Sequence, residues 1–132
     1  MKIRTLFCFA WLLLLLVSWS CEKDTTIVEP AGLGVYFIAN QSATTLFYKR
    51  DSTIMIVPGA TEKIGEFAGF GIQALPSEGM QALTLYRTGN GVDIIALEQN
   101  PIVDTLWTAV KQDNEQYGVT HYTFTVTDAM IR

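Results

Sequence analysis

Cysteine and histidine are nearly missing from this 132-residue chain. The two cysteines stand at positions 8 and 21, so no residue after 21 can form a disulfide, act as a thiolate nucleophile or offer a thiolate to a metal. The single histidine, His121, excludes a His-rich zinc centre. It falls among threonines on the polar side of an alternating segment, where a solvated residue is the expected state. Basic residues are sparse as well. After residue 20, seven Lys and Arg face thirteen acids, a net of −6, and no basic stripe is present. Such a chain is a poor phosphate binder, and nucleic acid is not an expected partner. The one long apolar run, Leu6 to Val17, is shorter than the roughly 20 residues a spanning helix needs. No stretch has convincing helical amphipathicity, and no internal repeat or low-complexity tract occurs.

What is present begins with an export signal over residues 1–20. Lys2 and Arg4 form a basic start, the apolar run follows, and Ser18 and Ser20 precede Cys21. Residues 21–32, "CEKDTTIVEPAG", then read as a tether, charged and ending in Pro30 and Gly32. Its eleven residues after the cysteine reach roughly 35 Å when extended. Residues 33–132 remain as one domain, enough for one core.

A cysteine at that junction resembles the lipobox of bacterial lipoproteins, and "CEKD" resembles the looser boxes of Bacteroidota lipoproteins. Ser18 and Trp19 depart from the strict pattern. The resemblance implies cleavage before Cys21, a thioether-linked lipid on its sulfur and an acylated amine, with chains such as palmitate. Several acyl chains anchor stably where one is marginal. It implies an outer-membrane location, periplasmic or surface-exposed. Lys23 flanked by acids resembles part of a surface-export signal, with Thr25 in place of a further acid.

From Leu33 onward, turn signals recur every eight to twelve residues or so, the rhythm of a sandwich or barrel. Strands are expected at 34–40, 45–50, 52–59, 61–67, 81–87, 92–98, 104–110 and 119–128, with loops at 68–80 and 111–118. Asn90-Gly91 is the strongest turn, since both residues tolerate the positive φ of a tight hairpin. Pro58 should end its strand because it cannot donate to a ladder. Tyr122, Phe124 and Val126 form one face of the last strand; with Phe37, Leu85, Ile95 and Trp107 they are the expected core. The expected class is all-β, an antiparallel β-sandwich, of which the immunoglobulin-like arrangement is one form; a small β-barrel is the alternative. "VYFIANQS", "NPIVDTLW" and "YTFTVTD" are similar to segments of small sandwich lipoproteins of the same bacteria, a likeness that implies fold and location but no catalytic residue.

Chemistry is hard to find in these residues. Glu62 and Glu66 share a strand face, but their backbones would lie about 13 Å apart, beyond the roughly 5–9.5 Å of glycosidase pairs. Asp113, Asn114 and Glu115 supply oxygen ligands without the ordered spacing calcium requires. Gly89-Asn90-Gly91 has no lysine or following helix to cradle phosphate. No catalytic residue, metal ligand or cofactor site is assigned. Phe70, between two glycines, is a candidate partner contact, since exposed rings often anchor interfaces. Asp-Ser/Thr at 24, 51 and 104 resembles the O-glycosylation motif of Bacteroidota, which nominates Thr25, Ser52 and Thr105.

The expected function is that of a non-catalytic envelope lipoprotein, a binding or accessory module held in the membrane by its lipid, with an outer-membrane protein complex or a glycan as partner. One alternative is a small envelope hydrolase or hydrolase inhibitor, which would need Asp93, Glu98 or Asp104 brought together by the fold. Another is a fimbria-like structural subunit donating the strand at 119–128.

Overall fold

A computed structural model of the chain describes residues 30–70, 74–113 and 118–132, the side chains of 30, 31, 70 and 113 excepted. The elements are β1 (Pro30–Asn40), β2 (Leu46–Lys49), β3 (Thr53–Ile56), β4 (Thr61–Phe70), a short helix α1 (Pro76–Gly79), β5 (Leu83–Gly89), β6 (Val92–Gln99), β7 (Trp107–Asp113) and β8 (Gly118–Val126). Short 3-10 turns fall at Asp104–Leu106 and Asp128–Met130. Two four-stranded sheets, ordered β4-β1-β8-β7 and β3-β2-β5-β6, form the expected sandwich, and neither closes into a barrel. Pairing is antiparallel except between β1 and β8, which run parallel in the middle of the first sheet. That order differs from an immunoglobulin domain, where the first strand lies beside the second.

Local chemistry explains the boundaries. Asn90 and Gly91 take φ of 52° and 76°, the paired positive values of a type I′ hairpin joining β5 to β6. β3 stops at Ile56, before Pro58. β1 starts at Pro30, so the end of the segment read as tether is already strand, with Gly32 opposite Gly69. β4 runs on to Phe70, and the loop expected after it contains α1. Pro76 supplies a fixed φ at the first turn, and Glu78 accepts a bond from the Leu75 amide at 3.0 Å. The polar loop expected at 111–118 is shorter, because β7 extends to Asp113 and β8 begins at Gly118.

The core lies between the sheets. Parallel register sets Tyr36, Ile38 and Asn40 beside Tyr122, Phe124 and Val126, all facing inward and buried. Trp107 packs 5.4 Å from Phe124 and edge-on, at 6.2 Å, to Tyr36. The second sheet contributes Leu46, Tyr48, Ile56, Leu83, Leu85 and Leu97. Burying each large side chain contributes about 1.5–3 kcal/mol.

Two expected core residues lie elsewhere. Phe37 alternates with Tyr36 and Ile38, so it points to the outer face, half-buried against the His121 ring at 5.1 Å. Ile95 is 44% exposed. A bulge at Ala96 makes Leu85 oppose Leu97 while Tyr86 opposes Ile95. One extra residue moves every side chain beyond it to the other face, so Leu97 stays inside and Ile95 leaves. A second bulge, at Ile64, lies between the pairs Phe37–Lys63 and Tyr36–Gly65. It puts Glu62 and Glu66 on opposite faces of β4 by register, where a regular strand would keep them on one.

Candidate binding site

The second sheet splits at one end. β2 and β5 pair only at Phe47–Tyr86 and Tyr48–Leu85. Beyond those pairs Lys49 and Arg50 turn into the bend at 50–52, and their backbones leave Ala82–Thr84 without a ladder partner on that side. α1 and the residues after it, Glu78 to Gln81, form the third wall. The result is an open cavity of about 630 Å³. A second cavity of about 330 Å³ lies beside it, bounded by Asp51, Ser52, Ile54 and the stretch of β4 from Ile64 to Glu66. Tyr48 and Arg50 line both.

The walls are fixed from beneath. The Tyr36 hydroxyl is shared between the carbonyls of Ala74 and Leu75, at 3.2 and 3.1 Å. The Asp104 carboxylate accepts the Ser77 amide at 2.9 Å and its hydroxyl at 2.6 Å. These bonds tie α1 to β1 and to the connection between β6 and β7. Burial, then the nearby Tyr122, Glu78 and Asp104, push the Tyr36 phenol up to about 12. Burial raises Tyr122 as well, followed by Asp104 and Glu78. Both phenols therefore stay neutral donors at physiological pH.

Charge around the split is unevenly committed. Lys49 pairs with Asp93 on the outer face and lies 5.6 Å from the centre of the Tyr86 ring. Lys63 pairs with Glu66. Exposed pairs of this kind contribute at most about 1 kcal/mol each. Glu78 is engaged at the start of α1. Arg50 has no carboxylate partner among the described residues. Tyr48 is 5% exposed overall, and its hydroxyl is not one of the buried side-chain atoms left without a partner.

The residues singled out in the sequence are scattered. Cys21 and Thr25 lie outside the described residues, as do the side chains of Phe70 and Asp113, with Asn114 and Glu115. Ser52 is exposed at the rim of the smaller cavity, and Thr105 is exposed in a 3-10 turn. His121 sits on the outer face with Nδ1 3.2 Å from Gln112 Nε2. The candidate acids of a hydrolase are not brought together: Asp93 pairs with Lys49, Asp104 holds α1, and Glu98 is exposed on β6. Among the described residues no three His, Cys, Asp or Glu side chains gather as a metal site. β8, the strand a fimbrial subunit would donate, lies between β1 and β7 and pairs with both.

No family model matches the chain, and no curated protein or solved structure matches it either. The site therefore rests on geometry.

Sequence reasoning passed over Tyr48, Arg50, Thr84 and Tyr86. One signal was available: Lys49-Arg50 is the only pair of adjacent basic residues in the chain, and it directly follows an aromatic at a hairpin.

Proposed function

We propose that this chain is a non-catalytic envelope lipoprotein, a binding or accessory module anchored by lipid on Cys21 in the outer membrane, and that the split between β2 and β5 is its binding face. The observation that carries the reading is Arg50, a cation with no described ion-pair partner in the wall of two adjoining cavities; Asp93, Glu66, Glu78 and Asp104 are engaged elsewhere, and Asp51, which lines the smaller cavity alone, has no described partner either. A volume near 630 Å³ falls within the usual range for ligand clefts. The walls are tied by the Tyr36 hydroxyl from the core and by Asp104 at the surface, so the cleft is pre-formed and binding orders little. Pre-formed sites lose less free energy on association. The motif at Cys21 supports the anchor: a thiol followed at once by charges, after an apolar run too short to span.

The test is co-purification of the tagged, lipidated protein from native membranes in mild detergent, with Cys21→Ala and Arg50→Gln in parallel. A stoichiometric partner, protein complex or glycan, is expected with the parent protein and lost with Arg50→Gln. Cys21→Ala should lose the membrane and any partner held there. A protein recovered alone, or a partner indifferent to Arg50, would reject the split as the binding face.

A further inference from the structure

The two cavities that meet at Arg50 also constrain what fits them, an inference that rests on the reading just given. We propose that they bind a carboxylate-bearing sugar, with Arg50 holding the carboxylate. Three observations carry this. First, a guanidinium is the side chain suited to planar, bidentate recognition of a carboxylate, and Arg50 has no carboxylate of its own among the described residues. Second, the groups around it suit hydroxyls. The Tyr48 phenol, the Gln81 amide and the Thr84 hydroxyl are neutral hydrogen-bonding groups lining the same cavity, and Tyr86 adds an aromatic ring. Third, the exposed lining of both cavities is more polar than apolar. Large exposed apolar residues, among them Met55, Val57, Val92, Ile94, Val103 and Leu106, lie outside those linings. A hydroxyl-rich ligand fits the split better than a peptide.

The arrangement also explains why an acidic chain can take an acid. Lys63 and Lys49 neutralise Glu66 and Asp93 beside the cleft. Asp51 lines the smaller cavity alone, so it is in the larger one that a ligand meets Arg50 as the unpaired cation.

The experiment is isothermal titration of the full-length lipidated protein in neutral detergent micelles. The probes are tetragalacturonate and sialyllactose, each with its neutral counterpart (galactotetraose and lactose), and tetraglutamate as the acidic peptide. At least one acidic sugar should bind about tenfold or more tightly than its neutral counterpart. Arg50→Gln should erase that difference, because the lost bond is charge-assisted. Arg50→Lys should keep part of it, and Tyr48→Phe should weaken binding several-fold. Melting temperatures measured alongside show whether each variant folds; Arg50 is exposed, and its replacement should leave the fold intact. Equal binding of acidic and neutral sugars, an acidic-sugar affinity untouched by Arg50→Gln, tetraglutamate as tight as the sugars, or no binding by any probe would each overturn the proposal. A partner retained through Arg50 in the co-purification, with no sugar bound, would sink the sugar and leave the module standing.

Discussion

Two buried amides sit at two crossings between the sheets, and the fold treats them oppositely. Asn40 ends β1 where the chain leaves the first sheet for β2. It is 1% exposed, and every bond its side chain can make is made. Its Nδ2 donates to the Thr44 and Ile56 carbonyls, both at 2.8 Å. Its Oδ1 accepts the Ser42 amide at 3.1 Å and the Ser42 hydroxyl at 2.6 Å. Gln99 ends β6 where the chain leaves the second sheet for β7. It is 8% exposed; its Oε1 accepts one long bond, 3.4 Å from the Val103 amide, and its Nε2 has no partner among the described residues. The Trp107 indole nitrogen, at the start of β7, is likewise buried and unpaired. At the first crossing the buried amide is the centre of a polar network; at the second the amide is left out, Ile102 and Trp107 pack beside it, and the polar bonds are those of Asp104 to Ser77 at the surface. Buried polar groups specify a structure when fully bonded and weaken it when they are not.

The sharpest break of that contrast is Asn40→Leu. It removes four bonds, strips the buried Ile56 carbonyl of its Asn40 donor, and leaves the Thr44 carbonyl only the Ser42 hydroxyl at 3.2 Å. Unfolding in urea should show a loss of about 3 kcal/mol, from several unmet groups at about 1 kcal/mol or more each. Asn40→Asp should cost a similar amount, since a carboxylate cannot donate to those carbonyls. A loss below about 1 kcal/mol would mean the network is not what holds the crossing.

The bulge at Ala96 offers a second contrast within one strand. Leu97→Ala should cost about 2–4 kcal/mol, the range for a buried Leu, while Ile95→Ala should cost under about 0.5 kcal/mol. Equal costs would mean that β6 runs without the bulge.

Tyr36 links the core to the wall of the cleft, and pH reads it. Its phenol is held at about 12 in the fold against an ordinary 10.0. A raised folded value means the unfolded chain releases its proton first. The stabilisation is therefore full below pH 10 and is lost as pH rises toward 12, at about 1.4 kcal/mol per unit. Tyr122, raised in the same direction, adds to the slope. Denaturation midpoints between pH 9 and 11.5 should fall steeply in the parent and less steeply in Tyr36→Phe. Tyr36→Phe should itself cost about 1 kcal/mol at pH 7, one shared hydrogen bond.

These contrasts also mark what the sequence made legible. Turn chemistry at Asn90-Gly91 and Pro58 and the alternation from Tyr122 to Val126 are local signals, and the eight strands followed from them. The bulges at Ile64 and Ala96 have no local signature, because "KIGEF" and "DIIALE" read equally well as regular strands; Ile95, Glu62 and Glu66 were misplaced for that reason. Phe37 was ambiguous because "GVYFI" is apolar at every position, so parity came only from pairing with β8. That parallel pairing joins residues far apart in the chain and leaves no short-range trace. The cleft is of the same kind. Tyr48 and Arg50 were legible as strand and bend, but the split depends on where β2 stops pairing with β5.

The smallest expected effect is the most diagnostic. Gln99→Met keeps the length of the side chain, removes the unpaired Nε2 and gives up only the long bond from Val103. If the crossing from β6 to β7 is held by packing, urea unfolding should show no loss, or a gain of up to about 1 kcal/mol, because a buried unbonded donor has been replaced by a group that needs no partner. The same change in the background of Asn40→Leu should add to it without coupling, since the two crossings share no partner. A loss above about 1 kcal/mol would show instead that the Gln99 amide is bonded in solution, through a bound water of the kind that satisfies buried polar groups. The two crossings would then be fastened by one principle, with the second network completed by solvent.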